Sequence, residues 1–268
     1  MKVSVSSWGY RKAFAEGMTW PQYADELVRL GADGTEIHFG YIDQARRGEA
    51  YLEIIAMLRE RGLDCSTIIA GNNFAMAKAL DRAAQVEDFK DYLAIARASR
   101  VNRLNVFTGY HRDGQDPATE RMRVIDAYHE VMPLAEGLGV LCCMENHSSV
   151  VSDVPGLLEM FAEIGSPNLV PNPDPTNVVR GFFQEPSEAD VKKVLDDLRQ
   201  YVIGAGNIHI KIDTFTDGVP DKVPFDEIIA ILKENDYDGW IVLEYCGQDD
   251  PGPAHDAGVA YLKKAWGE

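Results

Sequence analysis

Eight times along its length the chain passes from a short apolar run rich in β-branched residues to a longer stretch with helical spacing, and this alternation constrains the fold more than any other feature. The strand candidates are 3–7, 35–39, 65–69, 103–107, 140–145, 169–172, 207–212 and 240–245. Helix starts are marked by Thr19 before Trp20-Pro21, by Asp153 before Val154-Pro155, and by Ser187 with Asp190 three residues on. Gly31, Gly62 and Gly139 stand just past helical stretches and just before strands, where a left-handed cap is wanted. Helix, glycine, strand, repeated, is the pattern of parallel α/β proteins.

Eight units in 268 residues predict a single (β/α)₈ TIM barrel domain over 1–268 rather than an open doubly wound sheet. Neither GxGxxG nor GxxxxGK[ST] occurs to mark a nucleotide-binding sheet. Pro167, Pro171, Pro173 and Pro175 crowd the sixth strand, which is therefore expected to be short and irregular.

A formal charge of −17, from 43 acidic and 26 basic side chains, opposes nucleic acid and anionic membrane as partners, because no basic patch compensates it. No run of 18 apolar residues spans a bilayer, and the opening segment reads as a strand instead of a signal peptide, so a cytoplasmic protein is expected. Cys65, Cys142, Cys143 and Cys246 lie in or beside apolar runs without CxxC spacing and read as buried, reduced thiols.

In such a barrel the chemistry sits at the C-terminal ends of the strands. There the sequence places Glu145 and His147 in MENH, Asp174 in NPDPTN, His209 and Lys211 in IHIKID, and Glu244 in VLEY. Glu145, Asp174, His209 and Glu244 come from four consecutive strands and are expected to converge as metal ligands. Three oxygen donors and one imidazole suit Mn²⁺ first, with Mg²⁺ or Co²⁺ as alternatives. Each residue alone has a plainer reading, as a helix-end charge or a hydrogen-bonded core histidine. The four together are harder to explain as structure, since each costs free energy to bury.

Glu36 and His38, on one face at the end of strand two, are candidates for substrate contact or for pairing with each other. Trp8, Tyr10, Phe74, Phe107, Tyr110 and Tyr245 fall near strand ends, where an aromatic face can cover the apolar side of a sugar ring, although core filling is the plainer reading of any one of them. Among them Trp8 and Phe107 join the substrate-binding set. His129, within the fourth helix, reads as structural. Cations expected near the mouth are few: Lys211, Arg180, Arg112 and Arg103. Arg180 is taken as substrate-binding, and the scarcity of donors favours an unphosphorylated sugar.

The eight-unit pattern with MENH, NPDPTN, IHIKID and VLEY resembles the sugar phosphate isomerase/epimerase family of xylose isomerase-like TIM barrels, over essentially the whole chain. The resemblance implies a divalent metal on Glu145, Asp174, His209 and Glu244. This chain departs from the family at Asp174-Pro-Thr-Asn177, where Asp-x-Gly-Asn is more usual. The implied activity is that of a sugar isomerase or epimerase removing a proton α to a carbonyl through an enediolate. Glu145 and Glu244 would serve as acid and base, Lys211 would polarise a substrate oxygen, and His147 would be an additional base. A lyase on the same site, as in inosose dehydratases or the catalytic subunit of C-glycoside deglycosidases, is the alternative. An endonuclease IV-like nuclease and a non-catalytic sugar-binding protein rank below it. A small-molecule carbohydrate is the expected partner, and a homo-oligomer or a small partner subunit is compatible with the sequence.

Overall fold

The computed structural model describes residues 1–112, 114–147 and 150–267. Eight parallel strands form a nearly closed barrel: β1 (Lys2–Ser6), β2 (Gly34–Ile37), β3 (Asp64–Ile69), β4 (Arg103–Val106), β5 (Leu141–Glu145), β6 (Leu169–Asn172), β7 (Ile208–Ile212) and β8 (Trp240–Tyr245). Each is followed by a helix of the outer ring: α1 (Trp20–Leu30), α2 (Arg47–Glu60), α3 (Ala79–Ser99), α4 (Pro117–Leu138), α5 (Val154–Ile164), α6 (Glu188–Tyr201), α7 (Phe225–Glu234) and α8 (Gly252–Trp266). Two minor additions are a turn of helix at Arg11–Ala15 and a hairpin pairing Phe215–Thr216 with Val219–Pro220.

The local signals act as their chemistry requires. Thr19 and Ser187 each form a reciprocal capping box, with Gln22 and Asp190, and Asp153 caps α5 through the amide of Gly156. Gly31 and Gly139 end α1 and α4 at φ 69° and 67°, where a side chain would meet its own carbonyl. Strands one and two end earlier than expected. Ser7–Tyr10 and Phe39–Tyr41 are 3₁₀ turns, the second held by the amide of Gly40 donating to Nδ1 of His38 at 3.0 Å.

Alternation along each strand sorts two environments. Ile208, Ile210 and Ile212 on β7, and Ile241 and Leu243 on β8, point outward into the apolar layer beneath the helices. Residues between them point inward, and apart from Val242 on β8 they are polar. Ser4 meets Ser66 at 2.7 Å near the bottom, Ser6, Glu36, Asn105 and His209 form a middle layer, and Glu145, Asp174, Lys211 and Glu244 stand above it.

Strand ladders connect β6 through β5, β4, β3, β2, β1 and β8 to β7, so β6 and β7 flank the one seam. The prolines explain it. Pro171 and Pro173 present no N–H toward β7, and only their carbonyls serve, accepting from the amides of Gly206 at 3.0 Å and His209 at 2.9 Å. Asn207 adds a side-chain bond to Asn172 at 3.3 Å. The sixth strand is accordingly four residues long.

Candidate metal centre and active site

Parallel register sets the heights of the inward groups. Val242 pairs with His209 and Glu244 with Lys211 across β8 and β7, while Glu145 lies level with Asn172 across β5 and β6. Asp174 sits just past β6 and is fixed from several sides. The side-chain amide of Asn146 brackets its backbone, accepting from the Asp174 amide at 2.8 Å and donating to its carbonyl at 2.9 Å. Oδ1 accepts from the amide of Thr176 at 3.1 Å and from its hydroxyl at 2.9 Å. The other oxygen, Oδ2, remains for the site.

His209 is the hub. Its Nε2 donates to Oε2 of Glu36 at 2.9 Å, and because a carboxylate only accepts, this bond requires a proton on Nε2. Its Nδ1 is buried with no hydrogen-bond partner among the described residues, and it faces Glu244 Oε2 at 3.6 Å and Glu145 Oε2 at 3.8 Å. Two triads have their ligand atoms within 4.8 Å of one another, Glu36/His209/Glu244 and Glu145/Asp174/His209, and His209 belongs to both. All four expected ligands therefore meet around one imidazole.

Glu36 is not on the substrate-facing wall. It is fully buried, accepts from Ser6 at 3.0 Å and lies behind His209 instead of pairing with His38. A carboxylate on the far nitrogen of a ligand histidine fixes ring and tautomer and strengthens the other nitrogen as a donor. Asn105 links the layers, donating to Glu145 Oε2 at 2.9 Å and Glu36 Oε2 at 3.3 Å, and Asn177 donates to Glu145 Oε1 at 3.1 Å. Asn105, Asn146 and Asn177 are the positioning residues that reading the sequence missed.

Lys211 enters the same cluster. Its Nζ lies 2.6 Å from Asp174 Oδ2, 3.6 Å from Glu244 Oε1 and 3.7 Å from Glu145 Oε1, and donates to Asn177 Oδ1 at 2.9 Å. Charge regulates all of them. Burial alone would raise the carboxyl pKa values, but Lys211 and His209 more than offset it at Glu244, and His209 and Lys211 do so at Glu145, so both stay ionised. Burial works against protonated His209, yet the charges of Glu36 and Glu145 outweigh it and raise its pKa well above the ordinary histidine value.

Two chambers open at the mouth. One, of about 210 Å³, has Glu145 and Glu244 at its base and Trp8, His38, Phe39, Phe107 and Tyr110 around it. Trp8 and His38 pack with ring centroids 4.8 Å apart and His38 stacks on Phe39 at 4.4 Å. Gly71 is required beside them, since its φ is +61° and a Cβ there would lie 2.4 Å from the Phe39 ring. Burial lowers the His38 pKa to about 4, so the ring is neutral at pH 7, and with Nδ1 accepting from Gly40 its Nε2–H is a donor. The second chamber, of about 440 Å³, is bordered by Lys211 and Arg180, and His147 stands on the wall of both.

Three of the aromatics take the core-filling role. Tyr10, Phe74 and Tyr245 are buried in the apolar layer, Tyr10 stacking on His255 and Phe74 lying edge-on to Phe89 and Tyr128. Arg103 opens β4 at the opposite end of the strand from the mouth, with Nε donating to the Gly206 carbonyl at 2.7 Å. Arg112 lines neither chamber. His129 lies on α4, its ring 3.2 Å from the Glu163 carbonyl, remote from both chambers.

The family model described as "Xylose isomerase-like TIM barrel" matches residues 24–265. The chain is a xylose isomerase-like TIM barrel. No curated protein matches this barrel by sequence. Solved structures similar to it include a D-psicose 3-epimerase crystallised with D-fructose, 16% identical with 100% of each chain covered and a TM-score of 0.76. Another is the 3-keto-D-glucoside 4-epimerase YcjR of E. coli, 14% identical over 98% of this barrel and 99% of that chain, at 0.76. A third is the probable 3-DHS dehydratase AsbF of Bacillus anthracis, 16% identical over 98% and 99%, at 0.74. At such identities the likeness is one of fold. The neighbours of this xylose isomerase-like barrel are thus sugar epimerases and a dehydratase, and its buried Glu, Asp and His groups could hold a metal ion.

Proposed function

We propose that this barrel is a divalent-metal-dependent enzyme that removes a proton α to the carbonyl of a ketose or keto-sugar, as an isomerase or epimerase. The observation that carries the reading is the buried, unpartnered Nδ1 of His209 with Glu145 and Glu244 facing it and Glu36 on its other nitrogen. Without a cation the surrounding carboxylates favour a protonated ring, and a metal ion would take the place of the Nδ1 proton among them; the donor set fits a hard ion.

Glu145, Asp174, His209 and Glu244 would hold the ion, with Mn²⁺ the best match and Mg²⁺ or Co²⁺ usable. When bound it supplies Lewis acidity toward a carbonyl and neighbouring hydroxyl, which lowers the cost of the enediolate. The rest falls to the chain itself. Trp8, Phe39, Phe107 and Tyr110 exclude water and offer aromatic faces to a sugar ring, and Nε2–H of His38 donates to a ring oxygen. Glu145 and Glu244, held ionised, reach the same chamber from different strands, so one can take the proton and the other return it to the opposite face. Elimination is the second reading. His147, shared by both chambers, stands where an acid could protonate a leaving group, and a dehydratase is among the structural neighbours.

The test is incubation with Mn²⁺ in D₂O and a panel of ketoses, inososes and 3-keto-glycosides, followed by NMR. Deuterium should enter a carbon next to a carbonyl. Wash-in with loss of a fragment would assign the lyase, and no wash-in from any member would sink both readings.

A further inference from the structure

The two chambers differ in charge. The smaller one holds Glu145 and Glu244. The described residues lining the larger include Arg180, Lys211 and His147 but no aspartate or glutamate, in a chain with 43 acidic side chains. Among the described residues five other arginines are held by carboxylates, including Arg29 on Glu26, Arg46 on Glu49 and Glu53, and Arg121 on Glu163. Arg180 is exposed on the chamber wall and makes no hydrogen bond or ion pair with another described residue.

The backbone on either side of it is anchored. The loop that carries it is pinned on one side by Asp174, held by Asn146 and Thr176, and on the other by Phe182, which is 2% exposed and bonds back to the Val179 carbonyl at 3.2 Å. A wall whose described residues include no acid, with a guanidinium that bonds no other described residue, suits a molecule of −17 charge where it must admit an anion, because its overall field repels one. The planar fork of arginine matches a carboxylate or a phosphate in two-point fashion.

We infer that the larger chamber binds an anionic group of the substrate, a carboxylate or a phosphate, with Arg180 as the residue that selects it. The substrate then spans both chambers, its reacting carbon above Glu145 and Glu244 and its charged end against Arg180, with His147 at the junction. This rests on the proton-abstraction reading above.

The experiment compares deuterium wash-in for matched substrates, a neutral ketose, its terminal carboxylate and its terminal phosphate, in the Mn²⁺-loaded wild type and in Arg180→Gln and Arg180→Lys. One anionic member should exceed the neutral one in kcat/KM by about tenfold or more, the scale of a charge-assisted bidentate contact. Arg180→Gln should erase that preference by raising KM, and Arg180→Lys should restore part of it. Which anion gains identifies the group. A preference for the neutral ketose, or one that survives Arg180→Gln, overturns the inference while leaving the proton-abstraction reading standing. If no substrate exchanges, that reading fails, and the chamber is judged by calorimetric titration of inorganic phosphate and acetate into metal-free protein. Saturable binding of either that is lost in Arg180→Gln upholds the anion site, and equal behaviour of both proteins overturns it.

Discussion

Nζ of Lys211 lies 2.6 Å from Oδ2 of Asp174 in an ion-pair cluster that both residues form with Glu145 and Glu244. The lysine thus supplies a positive charge where three carboxylates converge, and an incoming ion has to compete with it. Substituting Lys211→Met is expected to tighten Mn²⁺ binding by about tenfold or more, equivalent to about 1.4 kcal/mol. It should also destabilise the metal-free protein by about 3 to 5 kcal/mol, the usual cost of leaving a buried charge unpaired. Calorimetry and urea melts read the two effects. A Kd that stays the same or weakens would show that ammonium and metal do not contend for one place.

Glu36 acts through His209, so Glu36→Gln should leave the four proposed ligands intact yet weaken Mn²⁺ binding by about 10- to 100-fold. His209→Ala should weaken it further. Equal affinity of Glu36→Gln and wild type in a chelator competition assay would rule out this supporting role.

Glu145→Gln and Glu244→Gln keep an oxygen for the ion but cannot accept a proton. Each should slow solvent exchange by about 10² to 10⁴, a larger loss than reduced occupancy produces. The measurement is wash-in at saturating Mn²⁺. Unimpaired exchange in both variants would move the base to His147.

His255 on α8 is fully buried and stacks on Tyr10, and burial lowers its pKa to about 4. In the unfolded chain a histidine titrates near 6.5. Between those values the unfolded state binds the extra proton, so stability falls as pH drops from about 6.5 toward 4, by about 3 kcal/mol in all. His255→Phe keeps the stacking and removes the titration. Its loss of stability between pH 7 and pH 4.5 should be smaller than the wild type's by roughly 2 kcal/mol. Parallel losses in urea melts would contradict the assignment.

The strands at 169–172 and 240–245 lie where periodicity places them, because the outward positions must be apolar and the glycines that end the helices are confined to φ above zero. The charged cluster was legible for a related reason: Glu, Asp, His and Lys closing apolar runs are conspicuous. Asn105, Asn146 and Asn177 were not. A neutral amide in or beside a strand carries no charge signal, and their partners lie 40, 28 and 32 residues away along the chain, brought near only by closure of the barrel. Glu36 was visible, but its direction was not, because the one-residue register shift against β3 between Thr35 and Glu36 has no signature in composition.

At the proline seam between β6 and β7 the hydrogen bonds run one way, from the amides of Gly206 and His209 to the carbonyls of Pro171 and Pro173. The ion pair of Lys211 on β7 with Asp174 just beyond β6 crosses the same gap. The gap in the ring is therefore bridged by charge at the candidate site itself. The proposed cation, held by Asp174 and His209 from the two sides of this gap, would tie β6 to β7, so amide exchange along both strands should slow when Mn²⁺ is added.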